Sequence, residues 1–214
     1  MQLFSYIVAR DFGFAPNPFY GRCTLATCKP RIRAAASIGD WVMGTGAKTN
    51  YQLDGHLLFA MQVDETLDFD SYWQDPRFRC KRPVLNGSLK QLYGDNIYHR
   101  RAGRWIQADS HHSGKGGEPN PKNLEPDTNV NRVLLAQHFV YCGSAAIPIP
   151  SRFRPDSATA KDICCSRQGH QKFTGELAEA VIDWIKSADQ WGLRGLPLEF
   201  RDHDRAGHGD EMEV

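Results

Sequence analysis

Hydrophobic positions along this chain fall in short runs separated by glycine, proline and acidic residues, a rhythm that predicts strands more often than helices. Leu3 to Arg10 is rich in β-branched and aromatic residues and stops at Asp11-Phe12-Gly13, which predicts an opening strand. Ser37 to Gly46 reads as a turn, a short buried strand and a glycine-rich exit. His56 to Val63 is the clearest apolar strand, and these two segments are expected to pair. Ile97 to His99, then Arg104 to Gln107 after Ala102-Gly103, suggest a hairpin, and Val133 to Gly143 a late apolar strand. Between the strands, Phe69 to Arg79 suggests a short helix or turn over the sheet.

The period changes near the end. Leu177, Val181, Trp184, Ile185 and Ala188 form one apolar stripe at helical spacing, behind a Thr174 able to cap it. Ala15-Pro16-Asn17-Pro18-Phe19-Tyr20-Gly21 cannot be helical, because each proline restricts itself and its predecessor. It is expected to be a fixed loop. The polar stretch from Ser110 to Asn131, with three glycines and three prolines, is expected to be a mobile loop and a candidate lid. The predicted class is α+β: a mixed, mainly antiparallel sheet or small β-barrel with peripheral helices and a C-terminal amphipathic helix. One domain over 1–198 and an acidic flexible tail over 199–214 are expected.

Composition changes this picture little. At 214 residues, 41% hydrophobic and 24% charged, the chain resembles an ordinary globular domain. No apolar run reaches the ~20 residues of a membrane helix and no signal peptide is evident, so no membrane partner and a cytoplasmic location are expected. The six cysteines are then expected as reduced thiols. Charge is more informative. Residues 1–50 carry six Lys/Arg against two Asp; 51–76 carry six Asp/Glu and no base; 77–104 carry eight Lys/Arg against one Asp. The basic blocks form a phosphate-binding surface if they meet on one face, and otherwise solvated faces paired with the acidic block.

Candidate chemistry narrows by elimination. Cys23 and Cys28, with Cys164-Cys165 far away, match a zinc knuckle poorly, so no metal site is expected and the cysteines read as small buried thiols. Ser5 and Ser88 lack the glycine elbow of an acyl-transfer nucleophile. Gly44-Thr45-Gly46-Ala47-Lys48 lacks P-loop spacing, although its glycines would let backbone amides and Lys48 approach an anion. His111 and His112 on an extended segment would point to opposite sides, so at most one would join a given site. His138 reads as either a core histidine or a pocket residue.

The densest signal lies between Phe4 and Lys48. Arg10, Asp11, Asn17, Phe19, Tyr20, Arg22, Thr24, Lys29, Arg31 and Arg33 combine guanidinium forks for phosphate, rings for stacking, and amide or carboxylate groups that read base edges.

Ser5 to Phe19, Cys23 to Pro30 and Ile38 to Gly46 together resemble the second of the nucleotide modification associated domain families. The resemblance covers residues 1 to about 150 and implies a context of DNA base hypermodification in bacteria and their phages. A looser likeness links Gly39 to Val42, Leu57 to Val63, Tyr72 to Phe78 and Phe139 to Gly143 to the PUA-like fold, whose EVE and ASCH branches hold a modified or flipped base in an aromatic pocket.

Two functions follow. The first is a nucleotide- or DNA-base-directed enzyme with Asp11, Asp95, His99 or His111 moving protons and Arg10, Asn17, Phe19, Tyr20, Arg31, Trp41, Thr45, Lys48 and Trp73 binding substrate. The second is a reader that stacks a modified base on Phe19, Tyr20, Trp41 or Trp73; a scaffold protein is the bland alternative. The enzyme is preferred, because Arg10-Asp11, Asn17 and a histidine-bearing loop exceed what stacking requires. The expected partner is a nucleotide or nucleic acid, DNA rather than RNA. The residues name neither a cofactor nor an oligomeric state.

Overall fold

The computed structural model describes residues 1–154, 162–165, 169–188 and 190–200. In chain order the strands are β1 Leu3–Val8, β2 Cys23–Leu25, β3 Trp41–Gly46, β4 His56–Gln62, β5 Glu65–Leu67, β6 Tyr98–Arg101, β7 Arg104–Gln107, β8 Val133–Ala136, β9 Phe139–Tyr141, β10 Ile147–Pro148, β11 His170–Phe173 and β12 Gly192–Leu193. The helices are α1 Pro30–Ala35, α2 Lys48–Tyr51, α3 Phe69–Gln74, α4 Leu89–Leu92, α5 Pro121–Thr128 and α6 Glu176–Ser187.

The main sheet runs β11-β1-β3-β4-β9-β12, with β10 also on β4. Its β1/β3 and β9/β12 pairs are parallel and the others antiparallel. A second sheet, β2-β8-β5, is antiparallel throughout, and β6 and β7 form a separate hairpin. Among the described residues no sheet closes into a barrel. The α+β, mainly antiparallel class is therefore realised as open sheets.

Alternation along β1 explains the layering. Leu3 faces one side with Trp41, Met43, Ala60 and Val140, where Ala178, Val181, Ile182 and Ile185 of α6 cover them. Phe4, Tyr6 and Val8 face the other side, against Phe59, Leu25, Leu134 and Ile32. Burying each large aliphatic or aromatic side chain of these layers contributes about 1.5–3 kcal/mol. Gly44 permits the β1/β3/β4 packing, since a Cβ there would stand 2.2 Å from the Phe59 ring.

Several expectations are sharpened. The helix near the end forms, but its cap is Gly175, at φ 70°, rather than Thr174, and its buried line is Ala178, Val181, Ile182 and Ile185. Leu177 and Trp184 lie at the margin of that core. Val133 to Gly143 is two strands, because at Gln137-His138 the chain leaves the second sheet and enters the main one. The hairpin turn at Ala102-Gly103 has both φ values positive, 50° and 78°, as a two-residue turn between twisted strands requires.

The segment from Ser110 to Asn131 differs most from its reading as a loop. It contains α5, started by Asn120, whose side chain accepts the Lys122 N–H at 3.1 Å, and by Pro121 in the first turn. Pro126 inside the helix masked this start signal in the sequence. Of the expected tail, Glu199 and Phe200 are packed against the body, and the remainder, 201–214, lies outside the described residues.

Candidate functional site

A pocket of about 280 Å³ opens where β1 ends, lined by its exit residues Arg10, Phe12 and Phe14, by Cys28 and Lys29, and by His111 and His112. Tyr6 forms part of its wall, fixed by a hydrogen bond from its hydroxyl to the Ala15 carbonyl at 3.1 Å. The volume lies near the lower bound of small-molecule sites, about 300 Å³.

At this pocket a thiol and an imidazole are backed by a buried carboxylate outside its lining. Cys28 Sγ is 3.8 Å from His112 Nε2, and His112 Nδ1 is 3.3 Å from Asp127 Oδ2. The second separation is an ion-pair contact rather than an aligned hydrogen bond. The other carboxylate oxygen, Oδ1, accepts the Cys28 backbone N–H at 2.6 Å, and Oδ2 also accepts the Tyr98 hydroxyl at 3.0 Å. This is the order of groups that activates a cysteine nucleophile: sulfur, base, and a group that orients the base.

Each member is held by its own local structure. Cys28 and Lys29 are consecutive non-glycine residues in the left-handed region, at φ 56° and 43°, just before Pro30 opens α1. Such conformations cost of order 1–3 kcal/mol each and need outside support. Asp127 supplies part of it through the Cys28 N–H, and Arg33 supplies more. The buried Arg33 guanidinium donates to the carbonyls of Cys28 (2.9 Å), Val130 (2.7 Å), Arg132 (2.7 Å) and Asp127 (2.6 Å). One side chain thus ties the strained turn to the end of α5. The His112 carbonyl is fixed by the side-chain amides of Gln107 and Asn123, each at 2.9 Å.

The electrostatics divide the two histidines. Burial pushes the His112 imidazole down, but Asp127 and the Cys28 sulfur outweigh it and hold it up at about 9. Burial, then the charges of His112 and Arg10, lower His111 to about 4, so His111 is neutral at pH 7. The Lys29 ammonium lies 4.4 Å over the Tyr6 ring; burial lowers its proton affinity, opposed by Cys28 and Cys165. The Arg10 guanidinium sits 4.7 Å over the Phe12 ring and 3.4 Å from Glu199, with most of its surface in solvent.

The structure brings Arg10, Asp11 and His111 to this pocket and distributes the other expected residues elsewhere. The Asp11 carboxylate is buried and spent on structure. It accepts the Tyr141 hydroxyl and the backbone N–H groups of Leu198 (3.1 Å) and Gly13 (3.4 Å), and burial raises its pKa. Asp95 is wholly buried, accepting Thr24 Oγ1 at 2.6 Å and the Tyr72 hydroxyl at 2.8 Å. Burial raises it to about 6 against the charge of Lys81. Asn17 is buried beside it, accepting Lys81 Nζ at 2.6 Å and donating to the Tyr93 carbonyl at 3.0 Å. His99 stacks on Trp73 at 4.0 Å, a pair outside the pocket.

Trp41 belongs to the core under α6 and offers no face for stacking. Phe19 is likewise buried, stacked on Phe200, while Tyr20 is exposed in a separate hollow with Lys90. Thr45 is fully buried beside the Tyr6 carbonyl, and Arg31 and Lys48 lie on the surface. The expectation that adjacent histidines diverge is also corrected. A turn closed by Ser113 N–H to the Ser110 carbonyl at 3.0 Å brings both rings to the same pocket, 5.8 Å apart.

Reading the residues missed Cys28 and Asp127 and favoured His111 over His112. All six cysteines are free thiols, but Cys28 differs from the buried set in being half-exposed, at a positive φ and beside an imidazole. The local signal was Lys29-Pro30: a proline opening a short helix directly after a cysteine-bearing turn.

A family model described as nucleotide modification associated domain 2 matches residues 1–204. Neither the curated proteins nor the solved structures contain a match. The match spans almost the whole chain, with the Cys28 pocket inside it, and the protein accordingly belongs to the nucleotide modification associated domain 2 family.

Proposed function

We propose that this protein is a nucleotide- or DNA-base-directed enzyme of base modification, and that it works by covalent catalysis through Cys28. The observation that carries the reading is the alignment of Cys28 Sγ, His112 and Asp127 at a pocket lined by cations and aromatic rings. The family description supplies the nucleotide context.

In the proposed step Sγ attacks an electrophilic carbon of the base or of a group it carries. His112, held protonated at neutral pH, pairs with the sulfur, and a C–S bond forms as the electron pair of the attacked double bond moves onto the adjacent oxygen. Collapse of that oxygen expels the leaving group, which takes the proton from Nε2; an incoming nucleophile then gives its proton to His112, adds to the same carbon and breaks the C–S bond, freeing Cys28. Asp127 holds the imidazolium meanwhile. The Cys28 N–H is already committed to Asp127 Oδ1, so charge developing on the substrate oxygen falls to the side-chain cations, Lys29 first and Arg10 at the rim. Neutral His111, packed on Phe12 at 4.5 Å between ring centroids, offers a polar edge to the ligand. The reader alternative loses support, because Trp41 and Phe19, two of its stacking residues, are core residues.

Alkylation by iodoacetamide with peptide mass spectrometry tests the reading. Cys28 is expected to react faster than the exposed Cys80, and nucleotides carrying the cognate base are expected to protect it. Reaction no faster than Cys80, or absence of protection across canonical and modified nucleotides, would overturn the proposal.

A further inference from the structure

The second basic block folds into a surface distinct from the pocket. Arg77 is neutralised by Glu65 and Asp75, at 2.7 Å and 2.6 Å, and so does not contribute. Lys81 is buried on Asn17 and Lys90 lies by Phe19, and the remaining arginines gather around the β6–β7 hairpin. The Arg82 guanidinium lies 3.9 Å over one face of Trp73 and donates to the Trp73 carbonyl, and His99 is stacked 4.0 Å from the same ring at 14°. Burial lowers the His99 imidazole and Asp70 opposes it, while Arg82 and Arg101 add to the lowering, so these charges share one field. Arg79 acts on Arg82 in the same way, after burial. Arg100 covers Trp105 at 4.2 Å, with Asp70 at 3.9 Å as its carboxylate partner.

Arg79, Arg82, Arg101 and Arg104 have no carboxylate at ion-pair distance among the described residues. Like charges crowded around a hairpin repel one another, and no carboxylate among the described residues pairs with these four to offset that cost. Guanidinium groups beside stacked rings are the groupings that hold a phosphate backbone and its bases. Every side chain of the cluster is a donor or an imidazole, and the adjacent acceptor, Asp70, is taken by the Arg100 N–H at 2.5 Å. Reading a ribose 2′-hydroxyl draws on acceptors as well as donors, so the cluster suits DNA better than RNA.

We infer that the face formed by Arg79, Arg82, His99, Arg101 and Arg104 is a docking surface for a DNA strand, so that the enzyme acts on a base within a polymer. The hairpin is joined to the catalytic pocket through its first residue, since the Tyr98 hydroxyl bonds Asp127 Oδ2 at 3.0 Å. A strand held on the hairpin is thereby registered against the carboxylate that orients His112. The inference narrows the substrate of the Cys28 site and rests on that reading only for what the bound strand is used for; binding itself is separate.

The test is fluorescence anisotropy with labelled single-stranded DNA, duplex DNA and RNA of equal length, on full-length Cys28→Ser protein over a range of salt. Removing the thiol keeps catalysis out of the measurement. DNA is expected to bind with a steep salt dependence. The Arg79→Ala/Arg101→Ala/Arg104→Ala variant, whose changes fall on exposed positions, is expected to lose at least about tenfold in affinity, with a log–log salt slope smaller by about 2 for single strands. Protection of Cys28 by mononucleotides in the same triple variant on a wild-type Cys28 background is expected to be unchanged. DNA binding that the triple variant leaves intact, no DNA binding at all, or tighter binding to RNA would overturn the inference.

Discussion

Asp127 accepts the backbone N–H of Cys28 at 2.6 Å across 99 residues of chain, and the same carboxylate faces the imidazole that serves the Cys28 sulfur. Nucleophile and base are therefore positioned by one group. Its two oxygens divide the work: Oδ1 supports the strained turn, and Oδ2 faces the His112 imidazole and helps hold its proton.

Asp127→Asn preserves shape and removes the charge. The imidazolium loses its counter-charge, so His112 holds its proton less tightly and supports the sulfur less. The rate of Cys28 alkylation, measured as a pH profile, is expected to fall about tenfold at neutral pH. A profile superimposable on the wild type would remove Asp127 from the mechanism and leave it a structural role alone.

Stability should carry the signature of His112. Its folded pKa, about 9, stands above its ordinary value of 6.5, so the protonated form is favoured on folding. The resulting stabilisation is complete below about pH 6.5 and is lost as pH rises through about 9, with about 3 kcal/mol as an upper bound. Urea titrations of wild type and His112→Gln at pH 6 and pH 10 measure it. The gap between the two proteins is expected to shrink at the higher pH, and a constant gap would contradict the assigned proton.

Asp95 gives the opposite contrast. With both oxygens hydrogen-bonded inside the Thr24, Tyr72 and Lys81 cluster, Asp95→Asn is expected to destabilise the protein by about 1–3 kcal/mol. Alkylation of Cys28 in the same variant should stay within about twofold of wild type at temperatures where it remains folded. A large loss of reactivity without loss of stability would return Asp95 to the list of groups that move protons.

The main strands were legible because their signals are local. Leu3 to Val8, Trp41 to Gly46 and His56 to Gln62 each carry their own apolar run, and the Ala102-Gly103 turn fixes its hairpin by backbone conformation alone. The site was not legible for the complementary reason. Cys28 looked like an ordinary thiol until the fold brought to it a histidine 84 positions away and a carboxylate 99 positions away. Asp11, Asn17 and Asp95 attracted notice as polar residues in apolar surroundings. Their role is to satisfy buried backbone and side-chain donors, which no spacing rule reveals.

The strained turn at Cys28 and Lys29 also sets a timetable. Its supports, Arg33 excepted, lie in the second half of the chain, so a ribosome that has released the first 50 residues has presented the thiol without its base. At synthesis rates of about 5–20 residues per second, roughly 5 to 20 s pass before Asp127 emerges. During that interval the cysteine lacks both partners, and the trio is complete only once more than half of the chain has emerged.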